Sequence, residues 1–70
     1  MNDYEFGNHI FDMRRNAGLT QTALASKLGV TNKAVSKWEN GKSKPSTETL
    51  RKLAELFGVS VDSLLEKKQV

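Results

Sequence analysis

Residues 21–40 read QTALASKLGVTNKAVSKWEN, and their pattern decides the fold. Thr20 precedes two leucines that lie one helical turn apart, and it is a suitable N-cap for a helix that ends at Gly29. Thr31 is a suitable N-cap for a second helix, which runs to about Asn40. The stretch therefore predicts two short helices in close succession.

The junction between these two helices is very short. Only Gly29 and Val30 separate the first helix from the N-cap of the second. This length suits the sharp turn of a helix-turn-helix, in which two helices meet at roughly 90–120°. Gly29 accepts the positive φ that such a turn needs, and the small side chain of Ala25 allows the helices to approach closely. We predict a helix-turn-helix motif here.

Apolar residues outside the motif also recur at helical spacing. They predict a first helix that ends near Gly18, and two later helices that follow N-caps at Ser46 and Ser60. No segment shows the alternating pattern of a strand, so we predict an all-α, compact orthogonal bundle of five short helices. The apolar positions are Phe6, Ile10, Met13 and Ala17 in the first helix, Leu50, Leu53, Ala54 and Phe57 in the fourth, and Val61, Leu64 and Leu65 in the fifth.

Length and composition limit the class of protein. The 70 residues suffice for one small domain, predicted over residues 6–65, with a flexible N-terminus at 1–5 and a frayed C-terminus or linker at 66–70. There is no cysteine, so the core must form by packing alone, and we expect no metal and no cofactor. An acidic N-terminus and the lack of a long apolar run predict a cytoplasmic protein with no membrane partner.

Charge is distributed unevenly along the chain. The formal net charge is +3, but residues 13–47 contain seven basic side chains against Glu39 alone, a balance of +6. A basic block between acidic flanks is typical of a protein that binds a polyanion. A charged, solvated surface is the alternative interpretation of the same block.

The second helix of the motif is amphipathic on a helical wheel. Its apolar side includes Val35 and Trp38, so we predict that Trp38 packs in the core, although an aromatic side chain could also stack on a base. The opposite arc is basic or hydrogen-bonding and suits an anionic partner with hydrogen-bonding edges. This arc consists of Asn32, Lys33, Ser36, Lys37 and Asn40.

With these features assembled, residues 21–40 resemble the helix-turn-helix core of the phage-repressor, or Xre/Cro-like, DNA-binding family. The resemblance extends through LTQTALA, WENGKSKPS and LAELFGVSVDSLL, and covers about residues 6–65. It implies a lambda-repressor-like DNA-binding domain with the helix-turn-helix at helices 2 and 3. It departs from better-known members at Lys33 and Lys37, where glutamine is frequent.

The resemblance also implies roles for individual residues. Arg14 in the first helix is expected to pair with Glu39 as a structural pair. The residues expected to contact DNA bases are Thr31, Asn32, Lys33 and Lys37. Those expected to contact DNA phosphates are Gln21, Asn40, Lys42 and Lys44, to which we add Ser36 from the polar arc.

Sequence motifs of common enzymes are missing from the chain. There is no GxxxxGK[ST], GxGxxG or HExxH, and Glu39 has no second carboxylate, histidine or nucleophile at a useful spacing. The single histidine, His9, is expected to be a partly buried or surface side chain rather than a ligand. We therefore predict a binding module rather than an enzyme.

The predicted function is that of a sequence-specific regulator of transcription, a repressor, that binds double-stranded DNA. Helix 3, about residues 32–40, would read the major groove of a palindromic operator. A weak homodimer, or a dimer formed on DNA, would use Val59 and Val61 near the last helix. The alternatives are an antitoxin or regulatory adaptor that also binds a protein partner, and the DNA-binding half of a larger regulator. An RNA-binding role is less favoured, because the A-form major groove does not admit a helix.

Overall fold

The computed structural model of the chain describes residues 3–65. Within this range every regular element is an α-helix, which confirms the predicted all-α bundle of five short helices. The helices are α1 (Asp3–Asn16), α2 (Gln21–Leu28), α3 (Asn32–Glu39), α4 (Thr47–Phe57) and α5 (Val61–Leu65).

Side-chain caps define where the helices begin. Thr20, Thr31 and Ser46 each have extended backbone and accept a hydrogen bond from the backbone N–H three residues later. Gly29 ends α2 in the left-handed conformation, with φ of 73°, and its backbone N–H bonds to the last turn of the helix. The predicted caps and the two-residue turn between the motif helices are therefore present.

One hydrophobic core holds the helices together. α3 packs against both α1 and α2, while α5 packs against α4 and α1. Trp38 has 4% exposure and lies in this core, as its position on the apolar arc predicts. The other buried apolar residues are Phe6, Ile10, Leu24, Ala25, Leu28, Val35, Leu53, Ala54 and Leu64.

The start of the first helix differs from the boundary predicted from the sequence. α1 begins at Asp3, whereas the apolar pattern begins at Phe6 and led us to assign a flexible N-terminus to residues 1–5. The difference arises because an apolar pattern registers a helix only from its first core residue. The predicted frayed segment at 66–70 lies outside the described residues. In the described part of the chain no helix has the length and apolar character needed to cross a membrane.

Candidate nucleic-acid interface

Helix α3 has one face in the core and one face in solvent. Val35 is fully buried and Trp38 nearly so, which fixes the rotation of the helix about its axis. Lys33 and Lys37 are exposed on the opposite side, together with Asn32. The core thus holds α3 with a basic, hydrogen-bonding face directed outward.

The N-terminal end of α3 is held by two hydroxyl groups. Thr31 Oγ1 accepts a hydrogen bond from the backbone N–H of Ala34 at 3.1 Å and caps the helix. Asn32 Nδ2 donates to Thr22 Oγ1 of α2 at 3.4 Å. The first exposed side chain of α3 is therefore tied to the preceding helix of the motif.

The C-terminal end of α3 leads into the basic loop. Asn40 Nδ2 donates to the backbone oxygen of Ser36 at 2.9 Å, while the backbone N–H of Lys42 donates to the carbonyl of Lys37 at 2.9 Å. Lys42 and Lys44 are both exposed. These bonds fix the direction in which the loop leaves the helix.

A network of hydrogen bonds centred on the ion pair of Arg14 and Glu39 joins α1, α2 and α3. Arg14 donates two hydrogen bonds to Glu39, from Nε to Oε2 at 2.6 Å and from Nη2 to Oε1 at 3.2 Å. A third Arg14 donor, Nη1, bonds to the carbonyl of Leu19 at 2.8 Å in the α1–α2 turn. The side chains of Arg14 and Glu39 are only 9% and 5% exposed. A bidentate, buried pair of this kind holds its geometry well.

Gln21 also belongs to this network, which the sequence did not reveal. Its Nε2 donates to Glu39 Oε1 at 3.0 Å. The two residues are 18 positions apart, and no periodicity or motif relates them, so only the packing of α2 on α3 brings them together. The sequence-based role for Gln21, a phosphate contact, concerns the same amide group and is compatible with this bond because an amide nitrogen carries two hydrogens.

The network removes one negative charge from the surface around α3. Glu39 is the only acid among residues 13–47, and three hydrogen bonds to Arg14 and Gln21 keep its carboxylate in the interior. Its negative charge therefore faces the Arg14 guanidinium rather than the exposed lysines. The outward face of α3 and the following loop are therefore rich in basic side chains, which favours an anionic partner.

Potential metal ligands do not cluster in the described residues. Within residues 3–65 no three histidine, cysteine or acidic side chains lie close enough together to hold an ion. The residues of the polar face are instead donors suited to phosphate oxygens and to base edges.

These features define a helix-turn-helix protein. Two short helices are joined by a tight turn in which Gly29 has the left-handed conformation, and the second helix has an exposed polar face. The chain belongs to the helix-turn-helix family that contains phage repressors and Xre-type regulators, and the family model matches residues 10–64. It is 38% identical over 66 residues to the HTH-type transcriptional activator BcrR of Enterococcus faecalis, with 94% of this chain and 32% of that protein aligned. It is 41% identical over 64 residues to the HTH-type transcriptional regulator ImmR of Bacillus subtilis, with 91% and 50% aligned.

A solved structure supports the same assignment. The P22 c2 repressor in complex with a synthetic operator superposes with a TM-score of 0.84 and 33% identity, over 90% of this chain and 96% of that chain. The resemblance to the phage-repressor family and the lambda-repressor-like fold are thereby confirmed. The chain spans about a third to a half of the length of the curated relatives it matches.

Proposed function

We propose that the chain is a sequence-specific double-stranded DNA-binding domain of a transcriptional regulator, with α3 as its recognition helix. The observation that carries the proposal is the two-faced environment of α3, in which Trp38 is buried and Lys33 and Lys37 are exposed. The major groove of B-DNA admits an α-helix and presents acceptors and donors that differ between base pairs. A recognition helix needs one face that packs against the core and an opposite face rich in hydrogen-bond donors, and α3 has both.

The residues of the proposed interface divide into two sets by the contacts we propose for them. The base-edge contacts are Thr31, Asn32, Lys33 and Lys37. Asparagine matches adenine, and lysine matches the O6 and N7 acceptors of guanine. The phosphate contacts, which set position rather than sequence preference, are Gln21, Ser36, Asn40, Lys42 and Lys44.

We infer that regulation is by repression and that the domain binds without catalysing a reaction. Occupation of an operator is sufficient to block transcription, whereas activation also requires a surface for the transcription machinery. The operator complex of the P22 c2 repressor supports repression, whereas the relative BcrR is named a transcriptional activator. Action on DNA in a bacterial cell would place the protein in the cytoplasm. Because the relatives extend well beyond the aligned region, this domain could equally serve as the DNA-binding half of a larger regulator.

Two copies on a palindromic operator are part of the proposal. One small module buries too little surface for tight specific binding, so a symmetric pair on half-sites roughly 34 Å apart is expected. Val59 is 37% exposed in the α4–α5 turn, and Val61 is half-buried at the start of α5. These two valines are the proposed centre of a small two-fold contact, which would give a weak dimer in solution and a stable one on DNA.

A second candidate function is that of an antitoxin or adaptor of the same fold that also binds a protein partner. The observation that favours it is the exposure of three large apolar side chains near the C-terminal helices, Leu56, Val59 and Leu65, at 37–38% each. Such side chains mark a protein contact where they form one contiguous patch. A partner and a second copy of the chain would compete for this surface.

Selection of duplexes from a random pool tests the proposed function directly. The chain should enrich a palindromic sequence and bind it tighter than random duplex by about a thousandfold or more. An RNA duplex of the same sequence should compete no better than random DNA. Failure to enrich any sequence, or a preference for RNA, would contradict the proposal.

A further inference from the structure

Thr22 near the start of α2 and Asn32 at the start of α3 are joined by a side-chain hydrogen bond. Asn32 is the first residue of α3 and Thr22 is the second residue of α2, and both side chains are exposed. Asn32 Nδ2 donates to Thr22 Oγ1 at 3.4 Å. The N-cap of α2 is Thr20, whose hydroxyl accepts from Ala23, so the hydroxyl of Thr22 is not used for capping.

The donors and acceptor of the Asn32 side-chain amide connect this contact with the recognition of a DNA base. The Asn32 side chain has one acceptor oxygen and two N–H donors. Adenine presents N7 as an acceptor and its N6 amino group as a donor in the major groove, and asparagine pairs with both through one N–H and the oxygen. That pairing uses the hydrogen on the same side as Oδ1. The other hydrogen remains for a protein partner.

We propose that Thr22 is a positioning residue that sets the amide orientation of Asn32 for reading one base pair. In this arrangement Thr22 takes the hydrogen trans to Oδ1, and the cis hydrogen and Oδ1 together face the groove. The inference rests on the proposed function, because it assumes that α3 reads bases.

Loss of this hydrogen bond should affect base discrimination rather than the stability of the fold. Without Thr22, the exposed Asn32 amide rotates about its last side-chain bond and presents donor and acceptor in either order. A freely rotating amide still contacts a base, but it distinguishes adenine from the other bases less well. Loss of the Thr22 hydroxyl should therefore lower discrimination at one base pair more than it lowers overall affinity.

Because Thr22 is exposed, its effect on base discrimination can be measured separately from any effect on folding. Its side chain is not part of the hydrophobic core, and the caps of α2 and α3 are made by Thr20 and Thr31. Thr22→Val keeps the shape and removes the hydroxyl, whereas Thr22→Ser keeps the hydroxyl. Thr47→Val makes the same chemical change at an exposed threonine at the start of α4, and serves as the matched control.

The experiment measures affinity on the selected operator and on a panel with each base pair substituted. Asn32→Ala first identifies the base pair that Asn32 reads, as the position at which preference is relaxed. Thr22→Val should reduce discrimination at that position by about three- to tenfold, a part of what a bidentate contact provides. Thr22→Ser should restore it, and Thr47→Val should leave it unchanged. Melting temperatures should be alike for all these variants.

The possible failures can be told apart. If the wild-type chain selects no duplex, the proposed function itself is wrong. If it selects an operator but Asn32→Ala relaxes no position, or if Thr22→Val keeps full discrimination, the inference about Thr22 is overturned while DNA binding stands. Equal loss with Thr22→Val and Thr22→Ser would also overturn it, because the hydroxyl would then not be the cause.

Discussion

Gly7 in α1 lies directly against the backbone of Trp38 at the end of α3. A Cβ atom at position 7 would collide with the carbonyl oxygen of Trp38 and would lie 2.8 Å from that of Glu39. Gly7 is buried, and the neighbouring atoms are backbone, which cannot move aside as a flexible side chain can. The absence of a side chain therefore sets the distance between α1 and α3.

Gly7→Ala should destabilise the domain although alanine is the better helix former. The helix preference of alanine over glycine is about 1 kcal/mol, whereas overpacking a rigid contact costs typically about 1–3 kcal/mol. We expect a lower melting temperature, by about 4–8 °C for each kcal/mol of net loss in a domain of this size. Thermal melting of Asn8→Ala, at the exposed neighbouring position, is the control. A more stable Gly7→Ala variant would show that α1 and α3 can separate without cost.

Breaking the pair of Arg14 and Glu39 should destabilise the domain more than it alters the preference for particular bases. Both side chains are at most 9% exposed, so removal of one leaves the other charged and buried, at a cost of about 3–5 kcal/mol. Arg14→Met and Glu39→Gln should each lower the free energy of unfolding, and the double variant should lose less than the sum. Arg15→Met, at the exposed neighbour, removes a cation–π contact of 5.6 Å with the Phe11 ring and should change it by no more than about 1 kcal/mol. Purely additive losses would mean that the pair is not coupled.

The helices, and those of their ends that carry a cap, could be predicted from the sequence because local signals specify them. Thr20, Thr31 and Ser46 cap their own helices through bonds to a backbone N–H three residues away. Gly29 needs only its own backbone freedom to end α2. The buried position of Trp38 followed from the helical period, since residues on one arc of an amphipathic helix meet the same neighbours.

The contacts between helices could not be predicted in the same way. Gly7 looks like an unfavourable residue in the middle of a helix until α3 is placed against it. The bonds of Gln21 to Glu39 and of Asn32 to Thr22 depend on the crossing of α2 and α3, which the sequence limits only to a range of angles. The pairing of Arg14 with Glu39 was expected only through the family resemblance, because 25 residues separate the two.

DNA affinity should depend steeply on salt, and Lys44 should contribute to the slope. The motivation is the balance of +6 over residues 13–47 and the exposure of the basic loop. The slope of log affinity against log salt is expected to be about −0.9 for each phosphate contacted. Lys44→Ala should make it shallower by about one and weaken all sequences alike, while Lys44→Arg, which keeps the charge, should not. Affinity that does not change between low and moderate salt would exclude an electrostatic interface.

Self-association should be weak in solution and evident on the operator. A contact centred on Val59 and Val61 is small, so sedimentation of the free chain at micromolar concentration should show mostly monomer. Two copies should bind each palindromic operator. Val59→Lys should reduce the operator complex to one copy on a half-site, while the melting temperature stays close to wild type because Val59 is 37% exposed. An operator complex with one copy of the wild-type chain would rule out the two-fold arrangement.

The two faces of α3 should respond differently to mutation, because one face packs and the other is proposed to read DNA. Trp38 is 4% exposed, and truncation of a buried aromatic costs about 3–5 kcal/mol, comparable to the whole stability of a small domain. Trp38→Ala should therefore unfold the domain and lose DNA binding only as a consequence. Lys33→Ala and Lys37→Ala should keep the melting temperature, because both side chains are exposed, and each should cost about 1–3 kcal/mol on the selected operator. Calorimetric melting and affinity on single-base operator variants measure both effects. A folded Trp38→Ala variant that fails to bind DNA would mean that Trp38, rather than the lysine face, contacts the nucleic acid.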